Sequence, residues 1–225
     1  MKSGKELFNA WAANYDQLLD SGNASISFEG YEEVLTETTA LAQIVPGMCV
    51  LDLGSGTGNL AAHFIDAGCE VWGMDFSEGM QAKAREKLPG MHSILADLRD
   101  APWPECLTRR YDRIVSAYVW HDFDLVAKMG LLVRLSRDYL AVQGRMVIAD
   151  IAYPNQARRA EAQAHWGSLW SEAEHYWAGD ETIAACKAIW LICSYEQISS
   201  CAGIFVIEKD EKSKKRNEVR VTSNE

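Results

Sequence analysis

Three acidic side chains, each placed where an apolar run gives out, are the residues of this chain best suited to hold a polar ligand. Asp52 lies in Val50-Leu51-Asp52-Leu53-Gly54-Ser55-Gly56-Thr57-Gly58, Asp75 closes Glu70-Val71-Trp72-Gly73-Met74-Asp75, and Asp97 follows His92-Ser93-Ile94-Leu95-Ala96. A carboxylate at the position of Asp75 can accept both hydroxyl protons of a ribose and would repel a 2′-phosphate. Gly54, Gly56 and Gly58 let a ligand lie against bare backbone, and the first N–H groups of a helix starting there would meet a carboxylate or a phosphate. A glycine-rich turn alone would serve equally well as a tight connection. Three such features in register, at the carboxyl edge where open α/β sheets bind ligands, outline a nucleoside pocket.

Groups able to move a proton follow in Tyr118-Val119-Trp120-His121-Asp122-Phe123. His121, by its type, titrates near neutrality and could accept a proton from an acidic hydroxyl, thiol or amine. It could equally hydrogen-bond its own loop or line the nucleoside pocket, and Tyr118 could wall a reaction site with its ring.

The elements that would position these residues can be read from periodicity and punctuation. Cys49 to Leu53 fits a buried parallel strand, and Asn59 to Ala67 continues as a helix, so the glycines fall on the strand-to-helix turn. Ser77 to Leu88 reads as a helix with Ser77 as N-cap, broken by Pro89-Gly90 before a third strand that leads to Asp97. Tyr111 to Ala117 is a fourth strand. A helix from about Leu125 to Val142 stops at Gly144, and Arg145 to Asp150 follows as the fifth strand. Glu181 to Trp190 is the last crossover helix, and Leu191 to Gln197 with Gly203 to Glu208 closes the chain as a hairpin around Ser199-Ser200. Strands alternating with helices give right-handed crossovers and a mostly parallel sheet covered on both faces. Upstream, Gly4 to Asp20 and Tyr31 to Ile44 are helical. Between 158 and 177 lies an aromatic helical insertion with Trp166, Trp170, Ala173 and Trp177 at helical spacing. It would pack on the sheet or act as a lid over an apolar or planar ligand, with Arg158 and Arg159 able to meet an acidic one.

The order G-x-G-x-G, with Asn59 where a dinucleotide site would want glycine, resembles the first motif of the class I S-adenosylmethionine-dependent methyltransferases. Phe8-Asn9-Ala10-Trp11-Ala12-Ala13-Asn14-Tyr15-Asp16 resembles the N-terminal cap of small bacterial members, those of the YrrT type. The resemblance implies an α/β Rossmann-like seven-stranded sheet of order 3-2-1-4-5-7-6, its last strand antiparallel, with helices on both faces and an N-terminal helical cap. It implies S-adenosyl-L-methionine as cofactor, with Gly54, Gly56 and Ser55 cradling its amino-acid end and ribose. By position, Asp97 would take the adenine amino group and the Leu98 N–H would reach the ring. Asp52, Asp75 and Phe76 complete the cofactor set, and Tyr15 would close over it from the cap. Relatives often carry a histidine pair after the fourth strand; here only His121 is kept, followed by Asp122. They usually place glycine where Trp190 stands.

Composition sets the outer limits. At 225 residues the chain can bury a core without disulfides or metal, and its six cysteines, with no C-x-x-C, suit reduced thiols in a cytoplasmic protein. No apolar run long enough to span a bilayer lacks a polar break, and no apolar signal region follows the N-terminus. A formal charge of −10 disfavours a nucleic-acid partner. The expected layout is one domain over 1–208, divided into a cap (1–44) and a core (45–208), with a charged tail at 209–225 that carries Lys212, Lys214, Lys215 and Arg216. The partner is then a small-molecule methyl acceptor, and both a monomer and a homodimer fit the sequence. A cofactor-binding sensor or scaffold without a productive acceptor site is the alternative function, followed by a nicotinamide-dependent oxidoreductase, which would share Asp75 but have less use for Asp97.

Overall fold

The computed structural model describes residues 8–10, 12, 15–20 and 28–210. The tail sequence 211–225 and residues 4–7, 11, 13 and 14 of the first helical stretch lie outside the described residues. In the cap, α1 spans Tyr15–Asp20 and α2 spans Tyr31–Leu41. The core then runs β1 Cys49–Leu53, α3 Asn59–Asp66, β2 Glu70–Asp75, α4 Glu78–Lys87, β3 His92–Leu95, β4 Tyr111–Ala117, α5 Leu125–Arg134, β5 Leu140–Tyr153, α6 Gln156–Trp166, β6 Trp177–Ala178, α7 Gly179–Ala188, β7 Leu191–Gln197 and β8 Ala202–Lys209.

The sheet order is β3-β2-β1-β4-β5-β8-β7, with the two-residue β6 pairing β5 off this path. Leaving β6 aside, this is the expected seven-stranded order, and β8 runs antiparallel to β5. Both faces are buried, as a parallel sheet requires. Val50, Val71, Val115 and Val147 pack with Phe64 of α3 and Leu35 of α2 on one side. Leu51, Met74, Ile114 and Ile148 pack with Leu132 of α5, Trp120 and Trp177 on the other. Ser77 caps α4 as expected, its hydroxyl accepting from the Met80 N–H at 3.2 Å.

Two elements differ from the sequence reading. The helix from Leu125 ends at Arg134, passes through a wide turn over Leu135–Tyr139, and β5 begins ten residues before Asp150 rather than at Arg145. A step from Tyr111 to Arg113 on β4 is matched by Leu140 to Arg145 on β5, so the additional strand residues are taken up in a bulge. Gly144 sits inside that bulge, where a Cβ would press on the Leu140 side chain; it is a strand glycine and not a helix stop. The aromatic insertion is likewise not one helix, because α6 ends at Trp166 and Gly167 turns the chain with φ of 50°. Trp166, Trp170 and Trp177 therefore share no helix face, and Trp177 belongs to β6. Trp190 closes α7 at φ of 62°. A tryptophan there holds the left-handed conformation that costs an L-residue about 1–2 kcal/mol, whereas glycine adopts it freely.

Candidate active site

The glycine loop leaves β1 at Gly54 and is pinned to the neighbouring strand by two bonds to the Met74 carbonyl, from the N–H of Gly54 at 2.7 Å and of Ser55 at 3.0 Å. Gly54 has φ of 69° and faces Val119, whose side chain occupies the place a Cβ would take. Gly56 has φ of 52° and opens onto free space, with nothing within 4 Å of a Cβ. That open face beside bare backbone is where a ligand's main chain can approach.

Asp75 holds this loop to the start of α4. Its Oδ2 accepts from Gly56 N–H at 2.9 Å and its Oδ1 from Ser77 N–H at 2.8 Å. Burial raises its pKa, and these two N–H bonds work against that rise. Each carboxylate oxygen has a second acceptor site, so Asp75 can hold the loop and still take ribose hydroxyls. Asp52 lies close by, 1% exposed, with an Oδ2 that has no hydrogen-bond partner among the described residues. Burial first, and then the charge of Asp75, push its carboxyl up to about 8. An orphaned buried carboxyl next to an open glycine face fits a ligand that brings positive charge, as the amino-acid end of S-adenosylmethionine does.

The third acid stands on a cavity of about 630 Å³ lined by Phe76, Leu95, Ala96, Asp97 and Arg99 together with Phe8 of the cap. Asp97 Oδ1 accepts from Arg99 N–H at 2.8 Å. The Arg99 guanidinium lies 3.7 Å from Asp97 and 3.5 Å from Asp122, tying the acid to the loop after β4. Phe76 meets the edge of Phe8, ring centroids 5.6 Å apart. Leu98 is buried in the core, so only its backbone could serve a ligand. The Ser55 hydroxyl accepts from Gln81 Nε2 at 3.2 Å and its carbonyl from Gly58 N–H at 2.8 Å, so the residue is fixed within the loop.

The cap is fastened to both sides of Asp75. Asn9 Oδ1 accepts from the Ser77 hydroxyl at 2.7 Å and from Gly79 N–H at 3.0 Å. Asp16 Oδ1 accepts from the Thr57 hydroxyl at 2.6 Å and Asn59 Nδ2 at 3.2 Å. Asn59, which in the sequence only argued against a dinucleotide loop, is thus a tether for the cap. Tyr15 lies close enough to Asp75 and Asp16 that their charges add to the main effect of burial and push its phenol up to about 12.

After β4, Tyr118 packs its ring among the aromatic side chains of the cap. It has φ of 58°, stacks on Tyr31 with centroids 5.5 Å apart, and keeps a buried hydroxyl with no partner among the described residues. Burial pushes that phenol up, which makes it a poor base. His121 is paired: its Nδ1 lies 2.7 Å from Oδ1 of Asp150, a fully buried carboxylate near the end of β5. Burial would lower the imidazole's pKa, but the charge and hydrogen bond of Asp150 outweigh it and, with Glu174 and Asp122, raise it to about 9. Asp150 Oδ2 accepts from Trp177 Nε1 at 3.0 Å, and the Lys128 ammonium sits 4.0 Å over the same indole. From the sequence Asp150 and Lys128 carried no functional reading, Trp177 was only one of an aromatic series, and Asn9 and Asp16 only members of the cap motif. Asp150 alone carried a usable signal, since it too is an acid near the end of an apolar strand.

The methyltransferase domain profile (Methyltransf_25) matches residues 50–144, which hold the glycine loop, all three acids and His121. The uncharacterized methyltransferase YrrT of Bacillus subtilis is 33% identical over 152 residues, 66% of this chain and 68% of that protein. Among solved structures, magnesium protoporphyrin IX methyltransferase (ChlM) from Synechocystis PCC 6803 with bound SAH aligns with a TM-score of 0.72 at 16% identity, covering 92% of this chain and 98% of that one. The DhpI-SAM-HEP complex aligns with a TM-score of 0.68 at 19% identity, covering 92% and 100%. The two structures share the fold, and the sequence relationship extends over the loop and acids that the geometry gathers. This leaves no place for a nicotinamide oxidoreductase: the chain belongs to the class I S-adenosylmethionine-dependent methyltransferases, in the group that includes YrrT.

Proposed function

We propose that this chain methylates a small-molecule acceptor, held between the cap, the loop after β4 and α6. Bound at the glycine loop, S-adenosylmethionine supplies an electrophilic methyl group for transfer to a nucleophile. Asp75 takes the ribose hydroxyls, Asp97 and the Leu98 N–H take the adenine edge, and Phe76 lies against the ring. Gly54, Ser55 and Gly56 receive the amino-acid end beside Asp52, and Tyr15 covers the pocket. Holding two partners in line provides most of what such a transfer needs, about 7–11 kcal/mol in well-oriented cases. His121 and Tyr118 then shape the acceptor's side of the pocket.

The observation that carries a small acceptor is the cap. Its short polar tethers at Asn9 and Asp16 close over both flanks of Asp75. Apart from the cavity at Asp97, two cavities of about 380 and 520 Å³ lie beside α6. Those volumes fall within the roughly 300–1,000 Å³ range of small-molecule sites. The net charge of −10 supports the same reading against a polynucleotide. Incubating the protein with methyl-labelled S-adenosylmethionine and a fractionated cell extract tests it. The expected result is S-adenosylhomocysteine formation with label in the low-molecular-weight fraction. Label confined to protein or RNA would overturn the acceptor class, and no turnover with any fraction despite tight cofactor binding would favour a sensor.

A further inference from the structure

His121, Asp150 and Trp177 form a connected polar line through otherwise apolar packing, and nothing in the cofactor pocket requires it. Asp150 follows Ala149, the residue paired with Ala117 at the end of β4, so the strand register sets its carboxylate beside the loop that carries His121. The side chain is fully buried, and both oxygens are engaged: Oδ1 by His121 Nδ1 at 2.7 Å and by the Ile151 N–H at 2.8 Å, Oδ2 by Trp177 Nε1 at 3.0 Å. Trp177 is itself fixed, 1% exposed, with its ring against Phe205 and Trp120. The His175 N–H donates to the His121 carbonyl at 2.6 Å, so the backbone of that turn is held as well. No described residue hydrogen-bonds to His121 Nε2. A buried carboxylate costs several kcal/mol of desolvation unless it is compensated, and apolar side chains would fill this space with less penalty. A fully satisfied carboxylate behind one imidazole nitrogen is the arrangement that fixes a histidine's proton and ring orientation.

We propose that Asp150 is a positioning residue for the methyl-transfer site: it keeps the His121 proton on Nδ1 and presents Nε2 to the acceptor, while Trp177 keeps the carboxylate from turning. This rests on the reading that the acceptor meets the loop after β4. The charged groups around the pair are Glu174 and Asp122 facing His121, and Lys128 facing Asp150. With Asp150 ionised, the imidazole stays protonated through neutral pH, so Nε2–H acts as a hydrogen-bond donor to an electron-rich acceptor. It becomes a base only above about 9.

The test is a pH titration of His121 by nitrogen-15 NMR in the full chain, for the wild type and Asp150→Asn, with S-adenosylhomocysteine affinity measured by calorimetry on the same samples. In the wild type His121 should titrate near 9 and keep Nδ1 protonated on both sides of the transition. In Asp150→Asn the midpoint should fall to or below the ordinary 6.5, with S-adenosylhomocysteine affinity changed by less than about threefold. Should Asp150→Asn not fold, Trp177→Phe serves instead: it keeps the ring but removes the donor, so the less stabilised carboxylate should move the midpoint upward. A wild-type midpoint at the ordinary value, an Nε2-protonated neutral form, or a titration indifferent to the substitutions would overturn the assignment. Failure of the wild type to bind S-adenosylhomocysteine would instead count against the cofactor reading and leave the His121 result interpretable.

Discussion

The Asp16 carboxylate in the N-terminal cap accepts a 2.6 Å hydrogen bond from the Thr57 hydroxyl in the glycine loop, so the cap is fastened to the turn that carries the three glycines. Asn59 adds a second bond to the same oxygen, and the Lys87 ammonium stands 3.4 Å from the other. Asp16→Ala removes these contacts while leaving every loop backbone bond in place. Because Asp16 is partly exposed, the loss should be modest, about 1 kcal/mol, or roughly fivefold in S-adenosylhomocysteine affinity. The change should appear mainly as faster dissociation in stopped-flow fluorescence, and an unchanged off-rate would show that the cap does not gate the pocket.

Asp75 performs two tasks that a substitution can separate. Its oxygens accept from Gly56 and Ser77, which sets the loop, and each keeps a second acceptor site for the ribose hydroxyls of the proposed cofactor contact. Asp75→Asn keeps one acceptor but turns the other into a donor aimed at an N–H group. Both thermal stability and affinity should therefore fall. The affinity loss expected for charged hydrogen bonds is about 1.5–3 kcal/mol, roughly ten- to hundredfold. A 2′-deoxy analogue of the cofactor should lose much less on going from wild type to variant. An equal loss for both ligands would mean that Asp75 acts only through the loop.

The sequence was most informative where the chemistry is local. Ser77 caps its helix through a bond three residues away, and β1, β2 and β4 begin and end where the apolar runs do. Asp75 could be read because its place at a strand end is itself a sequence feature. The Asp16–Thr57 and His121–Asp150 contacts could not, because each joins side chains brought together by the cap's docking or by the β4–β5 register. Gly144 misled for a related reason: a glycine after a helical run reads as a stop, and only the pairing with β4 shows the bulge that needs it. Gly167 did the opposite, ending α6 inside an aromatic pattern whose spacing looked continuous.

The raised carboxyl of Asp52 makes the proposed cofactor contact testable through pH. Its folded-state pKa of about 8 lies above the ordinary 3.8, so the free protein holds a proton there at neutrality. An acid raised in this way stabilises the fold fully below 3.8 and loses that contribution as pH rises through about 8. A cationic ligand end beside it favours the ionised form, so binding should release a proton at pH 7 and tighten towards pH 8. Calorimetry of S-adenosylmethionine binding in two buffers of different ionisation heat measures the proton count directly. Release should approach one proton in the wild type and vanish in Asp52→Asn; heats independent of buffer in the wild type would contradict the placement of the amino-acid end.

Acceptor entry requires a part of the structure that can open, and α6 has the weakest hold. None of its residues is buried, whereas α3 buries Leu60, Ala61 and Phe64. It is kept in place chiefly by polar contacts: the Asn155 cap on Arg158 N–H at 2.9 Å, and Arg159 on the Tyr176 carbonyl at 2.9 Å and on Glu181 at 3.2 Å. Contacts of this kind are exchanged for water at little cost, so local opening of α6 should lie far below global unfolding in free energy. Hydrogen exchange should then be faster in the amides of 156–166 than in those of 59–66 by at least about a hundredfold, corresponding to roughly 3 kcal/mol. S-adenosylhomocysteine alone should protect the glycine loop and leave α6 exchanging, and Arg159→Ala should speed α6 further without affecting α3. Equal protection in the two helices would mean that α6 is a fixed wall, and the acceptor would have to enter past the cap at Asn9 and Asp16.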